Sequence, residues 1–481
     1  MIFNSVTYLL LLFLVVLFYW ILPNKFRLIL IFSSSLIFYS FWKILFTPIL
    51  LISVIVNWKV GNLIYHIAEK KRTSLLILSL FFNLGLLFFF KYFIFFSSNT
   101  IGLANYIGLK IDPFVLKIIL PLGISFFTFQ AISYVVDIYR GFIKPEKNFT
   151  LFACYITFFP QLIAGPILRA SEVIPQFKNK PLFLLNHILV GMRFILYGFF
   201  LKVVFADTLS ILVDSGFNMN LKNLSAIDVW TLAFLFGFQI YFDFSAYSYI
   251  ALGSARMMGI IFPNNFNFPY ISSSPREFWQ RWHISLSSWI RDYIYLPLNN
   301  ATVENKSKEG FKKIFKITGT TKSLFITWGI MGFWHGANWT FLLWGLYHAI
   351  LISAYRLIEP KLRNFSNIFK LIMGISITLP LIMLSWIPFR SSSLSETFGM
   401  WSKIFYLSDY TWMGMRENTY IITFLILIGI FIIYIFKERI LPNIKSFEFI
   451  IVLFDIIIIS VITYLVIVFF GSVNQFIYFQ F

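Results

Sequence analysis

The chain has 481 residues, 59% of them apolar and only 12% charged, with a formal charge of +19. Ordinary soluble domains carry roughly a quarter charged residues, so these proportions exclude a water-soluble globule and place the chain in lipid. The positive charge does not point to nucleic acid, because the Lys and Arg sit mainly between apolar runs, a pattern that sets membrane topology.

A helix that crosses a bilayer needs about 20 mostly apolar residues. In chain order, runs of that kind occupy 5–23, 74–90, 183–201, 226–242, 366–386, 419–436 and 449–470. Further segments at 27–42, 44–65, 114–136, 150–168 and 321–357 are interrupted by isolated Lys, Asp, Arg or Gln. Together they predict an all-α polytopic membrane protein in one domain over 1–481, with about 11 transmembrane helices plus re-entrant and interfacial helices. The first run is followed by Leu22, Pro23, Asn24 and Lys25 with no small-x-small cleavage pattern, and reads as a retained span. Basic clusters stand at Lys70, Lys71 and Arg72, at Lys306, Lys308, Lys312, Lys313, Lys316 and Lys322, and at Lys437, Arg439 and Lys445. The positive-inside rule puts these three loops in the cytoplasm. A single cysteine, Cys154, excludes an intramolecular disulfide.

Residues 1–110 are monotonously apolar, whereas 121–171, 236–300 and 321–348 mix apolar residues with Asp, Gln, Arg, His, Pro and Gly. An ionisable group at the centre of a span costs about 2.5–3.5 kcal/mol, so these three stretches are where chemistry is expected. Pro160, Gly165 and Pro166 free backbone groups and predict broken helices that line a cavity. Asp243 lies in the apolar run Tyr241 to Ser248 and needs a partner, for which an Arg of the 276–291 segment is the economical candidate. In that segment Ser274, Pro275 and Glu277 form a capping-box signature that starts a helix. At helical spacing Arg276, Gln280, His283, Ser287 and Arg291 share one stripe, and Phe278, Trp282, Leu286, Trp289 and Tyr293 the opposite one. Such an amphipathic helix either lies on lipid headgroups or offers cations and hydrogen-bonding groups to a polar cavity.

The run Trp334 to Trp339 follows Gly329, Gly332 and Gly336, which share roughly one helical face and permit close approach. A neutral imidazole at His335 can take a proton from a hydroxyl, a contribution of about 10²–10⁴-fold, although a lone intramembrane histidine serves as often as a hydrogen-bonded structural group. His348 is roughly 20 Å further along a continuous helix and is not expected to share that site. His66 and His187 receive no role. No metal-ligand spacing occurs, so no catalytic metal is expected. Neither a nucleophile elbow nor a phosphate-cradling glycine loop is present, which argues against direct use of ATP.

Several motifs then occur in a consistent order. Gly123 to Gln130 leads through Asp137, Ile138, Tyr139, Arg140 and Gly141 to Phe158–Ile167; the Asp243 stretch follows, then Arg276 to Ser287, then Trp334 to Trp339. In these residues the chain resembles the membrane-bound O-acyltransferases, particularly their bacterial branch of alginate and peptidoglycan O-acetylation and teichoic acid D-alanylation proteins. The resemblance matches His335 to the histidine that activates the acceptor hydroxyl and His283 to the second family position. It implies acetyl transfer from a cytoplasmic thioester, acetyl-CoA, with no permanently bound cofactor, through a membrane tunnel. The destination would be hydroxyls of an envelope polysaccharide, alginate-like or peptidoglycan, by way of a periplasmic or membrane-anchored acetyl-transferring partner. The setting would be the bacterial inner membrane. Candidate substrate-binding residues are Arg276, Gln280, Arg291, Trp334, Asn338, Trp339 and Asp243, with Asn338, Trp339 or a backbone amide near Gly336 as oxyanion donor. Ala246 and Tyr249 depart from the expected Gly and Asp; both adjoin Asp243 and bear on helix packing or the acceptor. The rival readings are D-alanyl transfer from a carrier protein and a non-enzymatic glycan or lipid transporter using Arg276, Arg281 and Arg291.

Overall fold

The computed structural model describes residues 3–112, 118–179, 181–299, 320–362, 365–436, 448–471 and 476. The basic groups Lys306, Lys308, Lys312, Lys313 and Lys316, and Lys437, Arg439 and Lys445, lie outside the described residues. Every regular element among the described residues is helical.

The chain opens with α1 (Val6–Ile21) and α2 (Asn24–Ser40), joined across Pro23, followed by α3 (Thr47–His66) and α4 (Glu69–Leu87). The last of these runs through a π-helical stretch, Phe88–Tyr92, into α5 (Phe93–Tyr106). Next comes α6 (Ile124–Tyr139), whose N-cap Gly123 has φ 71°; a Cβ there would meet Leu162 O at 2.2 Å. Only glycine tolerates both the left-handed backbone and the contact.

The 150–168 segment is not one span. It divides into α7 (Phe149–Thr157), buried from Leu151 onward, and the short, wholly buried α8 (Phe159–Leu162), before α9 (Ala170–Lys178). Pro160, Gly165 and Pro166 interrupt it as the sequence suggested, and Phe159 N is satisfied by Ser35 Oγ at 3.1 Å. Then α10 (Leu185–Phe199) passes through a second π-helical stretch, Phe200–Ala206, into α11 (Asp207–Phe217).

The central pillar is α12 (Ala226–Met257), buried on most of its circumference. Its start is a capping box in which Ser225 Oγ accepts from Asp228 N at 3.1 Å and Asp228 Oδ2 from Ser225 N at 2.7 Å. Ala246 is part of its crossing with α10: a Cβ on Gly198 would lie 2.7 Å from Ala246 O, so the expected-glycine position is a helix contact.

The 274–293 segment is likewise broken. α13 (Pro275–Arg281) stops at Trp282, His283 adopts φ 40°, and α14 (Ile284–Ile290) leads by a third π-helical stretch, Arg291–Tyr295, into the short α15 (Leu296–Leu298). The continuous amphipathic stripe expected from helical spacing is therefore cut in two. A non-glycine residue in this region costs roughly 1–2 kcal/mol, strain that the surrounding hydrogen bonds must hold.

α16 (Thr320–His335) and α17 (Trp339–Ile358) form a close antiparallel hairpin rather than one helix. A Cβ on Gly332 would stand 2.3 Å from Phe341 O, and one on Gly345 2.2 Å from Trp328 O. α18 (Asn367–Arg390), α19 (Leu394–Lys403), α20 (Glu417–Ile435) and α21 (Glu448–Phe469) complete the bundle.

Among the described residues seven helical stretches are long and apolar enough to cross a membrane. The 44–66 stretch is one of them although its run is interrupted, whereas the 5–23 run forms a helix of only 16 residues. Outward-facing Phe13, Phe81, Ile421 and Phe424 are exposed, as lipid-facing side chains should be and as an aqueous surface would not tolerate.

Candidate active site

The ordered motifs meet in space. Phe129 of α6 stacks on Trp289 of α14, ring centroids 3.8 Å apart, and accepts the Trp289 indole N–H on its carbonyl at 3.0 Å. Phe129 also packs on Trp334, at 5.5 Å. Ile167, ending the second motif, donates its N–H to Ser285 Oγ at 2.9 Å. Trp334 lies between the two histidines, 6.3 Å from the His283 ring and 4.9 Å from that of His335.

His335 closes α16 and is 3% exposed, packed by the rings of Trp334, Trp344 and Phe389. The helix end that carries it is held from the π-helical stretch between α4 and α5: Lys91 Nζ donates to Trp334 O at 2.5 Å and His335 O at 3.1 Å, and Tyr92 donates to Phe333 O at 2.9 Å. A cation against the last carbonyls of a helix is favoured by their summed dipoles. His283, Lys91 and His348 all lie within electrostatic reach of the ring.

His348 corrects the sequence reading. Because the chain reverses at 336–338, it returns beside its partner, and both rings contact Trp344, at 4.8 Å from His335 and 4.9 Å from His348. Trp279 of α13 donates to His348 Nδ1 at 3.3 Å, tying the two broken segments together.

His283 is fully buried, and Asn265 fixes its ring. Asn265 Oδ1 faces His283 Nδ1 at 3.2 Å and accepts from Ser285 N at 3.2 Å and Ser285 Oγ at 2.9 Å, while Asn265 O accepts from Ile284 N at 2.9 Å. With the ring proton on Nδ1 donated to Asn265, His283 Nε2 presents its lone pair and has no hydrogen-bond partner among the described residues. Among the described residues the buried indole N–H groups of Trp334, Trp344 and Trp386 also lack partners. An enclosure of aromatic rings thus carries several unsatisfied polar atoms, each costly unless a guest or water meets it.

The other expected site residues fall elsewhere. Arg276 is exposed and pairs with Glu359 at 3.2 Å, Gln280 is exposed, and Arg291 pairs with Asp292 at 2.7 Å. Asn338 caps α17, accepting from Thr340 N at 3.1 Å and donating to Ser392 O at 3.3 Å. Trp339 is 43% exposed, packs on Phe95 and Phe333, and donates to Asn99 Oδ1 at 3.0 Å. Asn338 thus serves as a cap, and Arg276, Arg291 and Trp339 make contacts near the surface.

Among the described residues Asp243 forms no ion pair with an arginine of 276–291. Its partner is Lys202, at 2.7 Å, which also reaches Asp207 at 2.9 Å; Lys202 sits in the π-helical stretch after α10. Sequence reasoning missed Lys202, a lone cation just past the end of the 183–201 run. It also missed a buried network around Asp292, which Arg169 and Arg291 engage by side chain and Arg140 through the Asp292 carbonyl, and in which Tyr293 donates to Asp137 at 2.8 Å. Among the described residues no group of three His, Cys, Asp or Glu is placed to hold a metal.

The sequence profile of the membrane-bound O-acyltransferase family matches residues 146–389. The chain is 35% identical to "Probable alginate O-acetylase AlgI" of Pseudomonas syringae pv. tomato, over 82% of this chain and 72% of that protein. It is 37% identical to "Peptidoglycan O-acetyltransferase" of Helicobacter pylori, over 76% of this chain and 71% of that one. Similarity to "Teichoic acid D-alanyltransferase" of Streptococcus thermophilus is 30% over 62% of this chain and 75% of that one. With ordered motifs folded around two buried histidines inside a bundle of lipid-facing helices, the chain belongs to the membrane-bound O-acyltransferase family.

Proposed function

We propose that the protein transfers acetyl groups from a cytoplasmic thioester donor, acetyl-CoA, toward hydroxyls of an envelope polysaccharide, an alginate-like exopolysaccharide or peptidoglycan, with His335 as general base. The observation that carries this reading is the convergence of the sequence motifs on His335 and His283, in an aromatic enclosure that holds unsatisfied hydrogen-bond donors. His335 takes the proton of the acceptor hydroxyl while its oxygen attacks the thioester carbonyl. The tetrahedral oxyanion is met by an indole N–H, Trp344 or Trp334, and its collapse expels the thiolate, which receives the proton back. Burial keeps water, the competing nucleophile, away.

His335 is 15 residues beyond Thr320, about 22 Å at helical rise, well within the bilayer from the cytoplasmic end of α16. That depth suits a base approached by donor and acceptor from opposite faces, along a tunnel through the aromatic lining. The shorter apolar helices Val6–Ile21, Ile124–Tyr139 and Asp455–Phe469, read as further crossings beside the seven long ones, give ten among the described residues, which supports a count near the expected 11. A periplasmic or membrane-anchored partner accepts or relays the acetyl group. Acetyl is preferred over D-alanyl transfer because the O-acetylating relatives match more of the chain.

The test replaces His335 by Ala, confirms membrane insertion, and measures O-acetyl groups on exopolysaccharide and peptidoglycan. Loss of acetylation with normal polymer export is expected. Undiminished acetylation of both polymers overturns the proposal, and reduced export of polymer would instead favour a transporter.

A further inference from the structure

A second candidate binding site lies where α1 turns into α2. A cavity of ≈ 330 Å³ opens there, its wall combining the apolar Leu28, Leu151 and Phe177 with Arg27, Glu146 and Lys178. Glu146 and Lys178 neutralise each other at 2.5 Å. Arg27 is different: among the described residues it forms no ion pair. Its guanidinium lies 4.9 Å from the ring centroid of Tyr19 and 5.1 Å from that of Trp20, and it spends one N–H on Pro181 O at 3.2 Å. Its buried Nε–H has no hydrogen-bond partner. A guanidinium packed against two rings, hydrogen-bonded to the Tyr19 side chain but to no carboxylate among the described residues, and beside a cavity, presents the planar fork that matches two oxygens of a phosphate.

The neighbours set the depth. Trp20 donates to Met257 O, at the C-terminal end of α12, at 2.9 Å. From Pro181 the chain continues into Leu182, Phe183, Leu184 and Leu185, all exposed, while Lys25 and Lys147 are exposed beside the lining residues. Exposed apolar residues next to tryptophan and lysine mark the boundary between hydrocarbon and headgroups. A free phosphate ion would have no use for the apolar wall, whereas a phospholipid uses both parts.

We propose that this cavity binds the phosphodiester headgroup of an anionic phospholipid, with Arg27 on the phosphate and the glycerol end of the acyl chains along Leu28, Leu151 and Phe177. The site is separate from His335 and stands whether or not the acetyl-transfer reading does. Its test uses the full chain in non-ionic detergent, with phosphatidylglycerol, phosphatidylcholine and soluble glycerol 1-phosphate as probes and native mass spectrometry as readout. Wild type should prefer phosphatidylglycerol. Arg27→Gln should weaken that binding about tenfold and Arg27→Lys by less, and Leu151→Phe, which fills the cavity with Arg27 intact, should also reduce it. Equal binding by wild type and Arg27→Gln, no preference over phosphatidylcholine, or glycerol 1-phosphate binding as tightly as the lipid would each overturn the proposal. Should Arg27→Gln fail to fold, unchanged binding by Leu151→Phe does so too.

Discussion

Replacing Lys202 by Met removes the one cation that faces both Asp243 and Asp207 in the described contacts, at 2.7 and 2.9 Å. The lysine and Asp243 side chains are 2% and 3% exposed, so solvent cannot take over its role. At an effective dielectric near 20, each contact is worth roughly 6 kcal/mol of attraction, most of it offset by the cost of bringing the charges out of water. What remains after Lys202 is deleted is a buried Asp243 carboxylate that has lost this cation, so Lys202→Met should destabilise by about 3–5 kcal/mol. Lys202→Met/Asp243→Asn, which relieves the stranded charge, should recover about 1–3 kcal/mol of that loss. Equilibrium unfolding of wild type, both single variants and the double variant in mixed micelles gives the coupling directly. A Lys202→Met protein as stable as wild type, or a double variant no more stable than that single one, would refute the assignment of Lys202 as the partner of Asp243.

Asn265 is a positioning residue: Asn265→Ala should leave His283 free to rotate and lower turnover by up to about 100-fold while the apparent affinity for acceptor changes little. Asn265→Asp, which retains the accepting oxygen, should restore part of the rate; a loss confined to apparent affinity would contradict the role. Gly332→Ala sets a methyl 2.3 Å from the Phe341 carbonyl, a backbone atom with little room to retreat. It should cost about 1–3 kcal/mol and open the α16–α17 hairpin; a thermal midpoint equal to wild type would show that the two helices are not packed this closely.

The lipid setting, and the motifs that hold the two buried histidines, were legible because each leaves a local mark. Apolar runs of spanning length need no partner to be recognised, and His335 and His283 lie inside ordered motifs. The partners were not legible, because they are supplied by distant chain. Lys202 reaches Asp243 across 41 positions, and Lys91 reaches the end of α16 across 243. Arg276, Gln280 and Arg291 show the converse error: helical spacing gave them a common face with His283, but a backbone turned to φ 40° at that histidine ended the helix there. His348 was misplaced for the same reason, since distance along a continuous helix has no meaning once the chain doubles back after Gly336.

The π-helical stretches have an evolutionary consequence. Each holds an extra residue relative to regular winding, and Lys91, Lys202 and Arg291 all occupy one. Losing a single codon from any of the three would let the stretch relax to regular winding, with the helix downstream kept nearly in place, but would swing the cation by about 100° to a new face. Substitutions in these segments can be sampled one at a time, but changes of length cannot, so insertions and deletions should collect in the loops between helices while the counts at 88–92, 200–206 and 291–295 stay fixed.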